Sequence, residues 1–393
     1  MLQGEYGEAK ALAMKLLVAV GDIFEAKRMI KVKSVQVSGV SYKTIGEAGL
    51  EFLEDLCRKG AEATVKTTLN PAGMDLTEWR RMRIPSDFAR KQLRIISAFK
   101  RMRMNITCTC IPYFVGNRPG FGESVAWAES SAISFANSVL GARTNREGGP
   151  TALASSITGR TPLYGLHLDE NRRPTHIVQV QTELRTDLDF SLLGYALGRK
   201  LGYCVPFITG TSMERNFDHL KTLGASMATS GAIALYHIGG ITAESHLIIK
   251  EHDLHFLEKI SIGKTALRSV REKLTFAESP KHVCLGCPHC SLKELGKVAK
   301  LVDGKRLKRK LWCFTSRETC EEAEKLGYVS AIGGAGGLVV KDTCMVVSPL
   351  EKIGVDQILT NSCKAAHYLP SLSRVRVALA PLEECVRFAV EGS

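Results

Sequence analysis

The stretch "VKSVQVSGVSYKTIGEAGLEFLEDLCRKGAEATVKTTLN", residues 32–70, changes its hydrophobic period twice. Residues 32–39 alternate and are rich in valine, which is typical of a β-strand. Residues 42–60 have helical spacing and end at a glycine, a usual helix stop. Residues 63–70 return to a strand pattern. A strand, a helix and a second strand in this order form a βαβ unit, so the stretch predicts an α/β fold with parallel strands.

The same alternation of strand and helix patterns recurs twice further along the chain. Helix patterns occupy residues 188–202, 215–231 and 317–327, and another begins at 363. Strand patterns occupy residues 204–210, 232–240, 310–316, 343–349 and 357–362. A charged helix gives way to Ser-Pro near residues 274–282, which indicates a boundary. We therefore predict largely parallel sheets in three α/β regions, at residues 1–165, 166–280 and 281–393.

Composition bounds the class of protein. The 393 residues are 45% hydrophobic and 24% charged, which is enough for packed cores and leaves no segment that reads as disordered. No apolar run reaches the ~18–20 residues needed to span a bilayer. The amphipathic start is typical of a helix and not of a signal peptide, so we expect a cytoplasmic protein. In that compartment twelve cysteines favour free thiols or a metal site over disulfides.

The formal net charge of +13 raises the possibility of nucleic-acid binding. The basic residues are spread along the chain, however, and their local clusters are not interleaved with a platform of stacking aromatic residues. A basic surface also attracts an anionic substrate or an acidic partner chain. We therefore expect no nucleic-acid ligand.

Loops that follow predicted strands carry the candidate binding residues, because ligands gather at the carboxyl ends of parallel strands. Ser38–Gly46 follows a strand and opens a helix, so its backbone N–H groups and serines suit an anion, although an ordinary serine N-cap explains them too. Asn70-Pro71 ends the next strand.

A second set of candidates lies between residues 108 and 159. Glu129, Ser130 and Ser131 form either a helix cap or part of a site. Arg143 and Arg146, in a glycine-rich loop, either clamp an anionic group or pair with a nearby acid within their own loop.

The stretch "HVCLGCPHCS", residues 282–291, holds three cysteines whose spacing fits no self-contained metal knuckle. A zinc ribbon requires a second C-x-x-C, and a ferredoxin run requires a fourth cysteine followed by proline. A redox pair and a cluster tethered by cysteines from separate loops both remain open. Three thiolates on a [4Fe–4S] cluster would leave one iron without a protein ligand, free to act as a Lewis acid.

Long motifs resemble the aconitase X family along the whole chain. They are residues 37–56, "TTLNPAGMDL" at 67–76, the segment 110–162, "LGCPHCS" at 285–291, "KDTCMVVSPL" at 341–350 and "TNSCKAAHY" at 360–368. The resemblance implies an aconitase-like multi-domain fold with its sheets around a central cluster site. It also implies a [4Fe–4S] cluster on Cys110, Cys287 and Cys344. Further cysteines, Cys108, Cys284, Cys290 and Cys363, are additional to the family pattern.

The family's substrate contacts match a set of residues drawn from several loops. They are Gly39, Val40, Ser41, Asn70, Pro71, Glu129, Ser130 and Lys364. Of these, the resemblance and the chemistry together suggest a catalytic role for Glu129, Ser130 and Lys364. Arg143 and Arg146 are candidates from the residue types alone.

The reaction implied by the resemblance is dehydration of (R)-mevalonate 5-phosphate to trans-anhydromevalonate 5-phosphate in an archaeal mevalonate pathway for isoprenoids. A separate small subunit with a swivelling domain would complete a heterodimer and supply a serine as the base. The alternatives are dehydration of cis-3-hydroxy-L-proline, by another branch of the family, and a non-catalytic iron–sulfur protein that transfers electrons.

Overall fold

The first group of elements contains a short parallel sheet and an antiparallel strand pair. The computed structural model describes residues 1–210, 215–251 and 254–392. The strands of this group are β1 (Met29–Lys31), β2 (Ser34–Val37), β3 (Lys66–Leu69), β4 (Ala126–Trp127) and β5 (Arg160–Pro162). The helices are α1 (Glu8–Ile23), α2 (Tyr42–Arg58), α3 (Ser86–Arg101), α4 (Ser130–Phe135) and α5 (Gly149–Thr158). The parallel sheet has the order β3-β2-β4, and β1 pairs with β5.

The βαβ unit predicted from residues 32–70 is confirmed as β2, α2 and β3, with β2 and β3 parallel. Every residue of β2 is buried, and the leucines on one face of α2 pack into the same core as its valines. The backbone leaves the helical conformation at Gly46, whose φ is 61°. The first turn of α2 is therefore set apart from the rest of the helix by a kink.

The middle group forms a four-stranded parallel sheet in the order β8-β7-β6-β9. Its strands are β6 (His176–Val180), β7 (Pro206–Thr209), β8 (His237–Ile238) and β9 (Glu258–Ile262). Its helices are α6 (Asp187–Leu201), α7 (Phe217–Gly231), α8 (Ser245–Glu251) and α9 (Lys264–Leu274). Helices α6 and α7 approach closely at Gly198, where an added Cβ would lie 2.1 Å from Ser230 Oγ.

The last group forms a five-stranded parallel sheet in the order β12-β11-β10-β13-β14. Its strands are β10 (His282–Leu285), β11 (Lys310–Thr315), β12 (Leu338–Lys341), β13 (Gln357–Thr360) and β14 (Arg376–Leu379). Its helices are α10 (Leu292–Val302), α11 (Arg317–Lys325), α12 (Tyr328–Gly334), α13 (Cys363–Ser373) and α14 (Leu382–Glu391).

Shorter helical segments lie in the connections of all three groups. One π-helical turn, Ala136–Leu140, continues α4. The 3₁₀ segments are Pro112–Phe114, Gly165–His167, Asp169–Arg172, Leu254–Phe256 and Leu350–Ile353. No helix in the three described ranges is long and apolar enough to cross a membrane.

Two strand predictions are wrong. Residues 343–349 form a loop, and the strand lies just before them at Leu338–Lys341. Residues 232–240 contribute only His237–Ile238 to a sheet. The preceding apolar residues are buried in the core without strand pairing, and the Tyr236 N–H donates to Ser138 Oγ at 2.9 Å. In both places the apolar residues pack into the protein interior without forming the hydrogen bonds of a β-sheet.

The first and last groups are joined by a backbone bridge at one cavity. The Ala72 N–H donates to the Asp342 carbonyl at 2.8 Å, and the Cys344 N–H donates to the Ala72 carbonyl at 3.1 Å. The loops after β2, β3, β4, β10, β12 and β13 all reach this cavity. The carboxyl ends of strands from two sheets therefore supply its walls, as expected for a parallel α/β protein.

Candidate active site

The cavity has a volume of about 440 Å³ and brings together residues from positions 38 to 372. Among the residues predicted from the sequence, those that line it are Gly39, Val40, Ser41, Asn70, Pro71, Cys110, Glu129, Ser130, Cys287, Cys344 and Lys364. All except Cys110 lie in a loop that follows a strand or at the start of a helix, and Cys110 lies between α3 and the 3₁₀ segment Pro112–Phe114.

The loop at residues 38–41 presents backbone N–H groups and is held from behind. Ser41 caps α2 by accepting from the Lys43 N–H at 3.2 Å, and its own hydroxyl donates to the Val347 carbonyl at 2.7 Å. Gln92 is fully buried, accepts from the Tyr42 N–H at 3.1 Å and donates to the Val40 carbonyl at 2.8 Å. The loop is therefore fixed in place before any ligand binds.

Three cysteine thiols from distant loops line the cavity together. They belong to Cys110, Cys287 and Cys344. Cys287 follows Gly286, which has a φ of 101° and approaches the neighbouring strand so closely that an added Cβ would lie 2.2 Å from the Phe314 carbonyl oxygen. Only glycine fits there. Burial raises the pKa of all three thiols, and that of Cys287 reaches about 12.

The donor set has the chemistry that an iron–sulfur cluster needs, since it consists of three thiols. Within the part of the chain that is described, no three Cys, His, Asp or Glu side chains converge on one metal ion. Soft thiolate ligands select for iron–sulfur clusters, which cysteine thiolates hold. The three thiols share one cavity with room for such a group.

The remaining cysteines named from the sequence point into the protein cores. Cys108, Cys284 and Cys290 belong to three different buried clusters, and Cys363 is also buried. None of these four lines the cavity.

Glu129 and Lys364 form a partly buried ion pair at the cavity wall. Burial alone would raise the pKa of Glu129, but the charge of Lys364 and the hydrogen bonds from Lys364, Asn70 and Ser131 outweigh it and lower this pKa to about 2. Burial opposes the charge on Lys364, and the carboxylate of Glu129 reverses that effect and raises the pKa of the ammonium. Both groups are therefore ionised near neutral pH.

A chain of buried amides and hydroxyls orients this carboxylate. Asn70 Nδ2 donates to Glu129 Oε2 at 2.7 Å, and Asn70 Oδ1 accepts from Gln36 Nε2 at 3.1 Å. The Thr68 hydroxyl donates to Gln36 Oε1 and accepts from Asn117 Nδ2 at 2.8 Å. Since each amide is fixed by its neighbour, the Asn70 N–H group points at Glu129.

The two arginines proposed from the residue types do not line the cavity. Arg143 forms an ion pair with Asp169 and donates to the His167 carbonyl at 3.3 Å. Arg146 is exposed to solvent. The glycine-rich loop turns both side chains away, so the reading of an anion clamp has no support in the geometry.

Several side chains that matter to the site were missed. They are Gln36, Gln92, Asn117 and His289, whereas Ser131 was singled out from the sequence together with Glu129 and Ser130. Ser131 donates to Glu129 Oε1 at 2.9 Å. Gln36 stands between two valines in a buried strand, and a polar residue in such a place needs partners. That pattern is the signal that could have found it.

Family comparison covers almost the whole chain. Residues 1–170 match the first domain of aconitase X, residues 174–272 the second domain and residues 280–391 the third domain. The chain therefore belongs to the aconitase X family, as the sequence motifs predicted.

Individual relatives make the similarity more specific. The phosphomevalonate dehydratase large subunit of Methanocaldococcus jannaschii is 50% identical over 394 residues, covering 98% of this chain and 97% of that protein. The cis-3-hydroxy-L-proline dehydratase of Pseudomonas aeruginosa is 34% identical. The match covers 100% of this chain and 69% of that protein.

A solved structure confirms the fold class. The crystal structure of Thermococcus kodakaraensis aconitase X in its holo-form superposes with a TM-score of 0.91 at 44% identity, covering 99% of this chain and 97% of that one. The predicted α/β class with largely parallel sheets is correct.

Proposed function

We propose that this chain is the large subunit of a cytoplasmic hydro-lyase that dehydrates (R)-mevalonate 5-phosphate to trans-anhydromevalonate 5-phosphate, within an archaeal mevalonate pathway. The observation that carries the proposal is one cavity that combines three thiols, an oriented carboxylate–ammonium pair and a loop of backbone N–H groups. Relatives that are 50% and 49% identical over nearly the full chain bear the name of this enzyme's large subunit.

Cys110, Cys287 and Cys344 would hold a [4Fe–4S] cluster. When bound through three thiolates, such a cluster supplies an open iron that polarises the hydroxyl of the substrate as a Lewis acid. The cavity supports this role because its three thiols are soft donors and the other cysteines named above point elsewhere. Their deprotonation is coupled to metal binding, which offsets the raised pKa values of the free thiols.

The loop at Gly39, Val40 and Ser41 would bind an anionic group of the substrate. Its N–H groups lie at the start of α2, where the helix dipole favours negative charge. Pro71 and Ser130 would form the walls on either side. A phosphorylated hydroxy acid carries two anionic groups, and the ammonium of Lys364 offers a second place for one of them.

Glu129 would act as a hydrogen-bond acceptor and not as an acid. Its pKa of about 2 keeps it ionised, so it can orient a substrate hydroxyl but has no proton to give. Lys364 does carry protons and could neutralise the leaving hydroxide as water. A serine of the small subunit would remove the proton on the carbon next to the substrate carboxylate. The name "large subunit" among the relatives supports the existence of such a partner subunit.

Dehydration of cis-3-hydroxy-L-proline is the second candidate. Relatives with that name are 34% and 33% identical over the whole chain. A substrate amine would favour an acidic cavity, whereas a phosphate suits the formal net charge of +13. The enzyme should be reconstituted anaerobically with its small subunit and assayed with both compounds. Turnover of hydroxyproline alone would overturn our choice of substrate.

The cluster is tested by substituting single cysteines. Cys287→Ala should abolish both the bound iron and the activity. Cys290→Ala, in the same loop but facing a core, is the matched control and should keep both. If the cluster is retained in Cys287→Ala, another cysteine and not Cys287 is the third ligand. A cluster whose spectrum does not change when the hydroxy acid is added would favour electron transfer as the function.

A further inference from the structure

His289 touches all three of the loops that carry the cavity thiols. The residue lies two positions after Cys287, and its side chain is fully buried. Its backbone N–H donates to Cys110 Sγ at 3.2 Å. Its ring contacts Thr109, beside Cys110, and Thr343, beside Cys344.

The contact between the ring and the Thr343 carbonyl places a hydrogen on Nε2. Nε2 lies 2.8 Å from the Thr343 carbonyl oxygen, which can only accept, so Nε2 carries the hydrogen. Nδ1 of the neutral ring then accepts from the Thr109 hydroxyl at 3.0 Å. That hydroxyl oxygen in turn accepts from the Ile111 N–H at 3.2 Å. Every polar atom of the ring is used, and each partner stands next to the backbone of a thiol loop.

The backbone of His289 is held from the opposite side by a buried lysine. Lys221 Nζ donates to the His289 carbonyl at 3.1 Å and forms an ion pair with Glu294. Glu294 also accepts from the Ser291 N–H at 2.8 Å. The loop that carries Cys287 is therefore held at His289 by Lys221. The position of the imidazole ring is fixed independently of the loops that carry Cys110 and Cys344.

We propose that His289 is a positioning residue that sets the mutual placement of Cys110, Cys287 and Cys344 and thereby the retention of the cluster. The inference rests on the proposed function, because it requires that these thiols bind a cluster. Groups that orient metal ligands from outside are worth about 10–100-fold in metal affinity or activity. His289 differs from an ordinary outer partner because its ring contacts the neighbours of Cys110 and Cys344 while its backbone belongs to the loop of Cys287.

The test compares His289→Phe with His289→Gln in the full chain. Phenylalanine keeps the ring shape and removes both polar contacts, whereas glutamine keeps one donor and one acceptor. After anaerobic reconstitution, iron loss to a chelator should be about tenfold or more faster in His289→Phe. The electron paramagnetic resonance spectrum of the reduced cluster should also change. His289→Gln should restore most of the wild-type retention.

A matched control comes from another buried histidine. His167 is 5% exposed, does not line the cavity, and its ring nitrogens have no hydrogen-bond partner among the described residues. His167→Phe should leave the rate of iron loss unchanged. If His289→Phe does not fold, Thr109→Val tests the same contact, because it removes the hydroxyl that donates to Nδ1 together with the bond that this hydroxyl accepts from the Ile111 N–H. Rapid iron loss in Thr109→Val supports the proposal, and wild-type retention overturns it.

The outcomes separate this inference from the proposed function. Wild-type protein that takes up no iron would overturn both. A cluster that is stable in the wild type and equally stable, with the same spectrum, in His289→Phe would overturn the role of His289 alone.

Discussion

Two ion pairs in this molecule differ in how many of their hydrogen-bonding groups are satisfied within the protein. Arg172 and Glu244 lie in the middle of the chain, away from the cavity, and are 2% and 7% exposed. The guanidinium donates to both carboxylate oxygens at 2.9–3.0 Å. It also donates to Asn137 and to the Leu166 carbonyl at 3.1–3.2 Å. All of its nitrogens are used within the protein.

The pair of Glu129 and Lys364 is arranged differently. The side chains of both residues are 12% exposed, and both line the cavity. Among the described residues the ammonium has two hydrogen-bond partners, Glu129 and Ser131, although it can donate three hydrogen bonds. The comparison suggests that a pair with all its hydrogen bonds satisfied stabilises the fold, whereas a pair with an unused donor faces the cavity where we propose that the substrate binds.

The largest effect is expected when the saturated pair is broken. Arg172→Met leaves the Glu244 carboxylate buried without a partner and should lower the free energy of unfolding by ~3–5 kcal/mol. Urea denaturation measures this. Activity per folded molecule should not change. The double variant with Glu244→Leu removes the stranded charge and should recover much of the loss. A double variant as unstable as the single one would contradict the explanation.

Breaking the cavity pair should harm catalysis more than stability. Lys364→Met removes a charge from the site and should reduce turnover by ~10²–10³-fold, as for other preorganised groups. The free energy of unfolding should fall less than in Arg172→Met, because Glu129 can be reached by solvent in the cavity. Steady-state kinetics and urea denaturation on the same preparation decide the matter. If Lys364→Met and Arg172→Met lower the free energy of unfolding equally, the two ion pairs do not differ in their contribution to the fold.

The amide chain behind Glu129 should give a smaller effect. Gln36→Leu leaves the Thr109 carbonyl and Asn70 Oδ1 without their donor, which should cost about 1–3 kcal/mol of stability. Asn70 is then free to turn its amide, so turnover should also fall. A variant that loses stability but keeps full turnover would show that Gln36 supports the fold alone.

The smallest effect is expected at Ser131. Ser131→Ala removes one hydrogen bond to the Glu129 carboxylate and the contact with Lys364, while Asn70 and Lys364 still hold Glu129. Turnover should fall about fivefold, equivalent to about 1 kcal/mol. A loss as large as that of Lys364→Met would assign Ser131 a direct part in the reaction.

The fold could be predicted where local pattern and tertiary structure agree. The βαβ unit at residues 32–70 was found because valine alternation, helical spacing and a stop glycine all point the same way. The strand predicted at 343–349 was wrong because two valine pairs lie close together in the sequence. Val339 and Val340 form the strand, whereas Val346 and Val347 line the cavity wall. The division of the chain after residues 165 and 280 stays a prediction.

The cavity residues could be predicted in part for a physical reason. Loops after parallel strands meet at one edge, which placed Ser41 and Asn70 on the correct side of the sheet. Gln36 and His289 could not be found in this way. Their partner Thr109 is 73 and 180 positions away along the chain, and only the assembled loops decide which polar atoms meet.

The hydrogen bond between Ser41 and the Val347 carbonyl joins positions 306 residues apart. On the ribosome, at about 5–20 residues per second, the second of these positions is made ~15–60 s after the first. During that interval the cavity is incomplete, because its residues are added progressively as the chain is made. The cluster that we propose on Cys110, Cys287 and Cys344 could therefore be inserted only after residue 344 has been made.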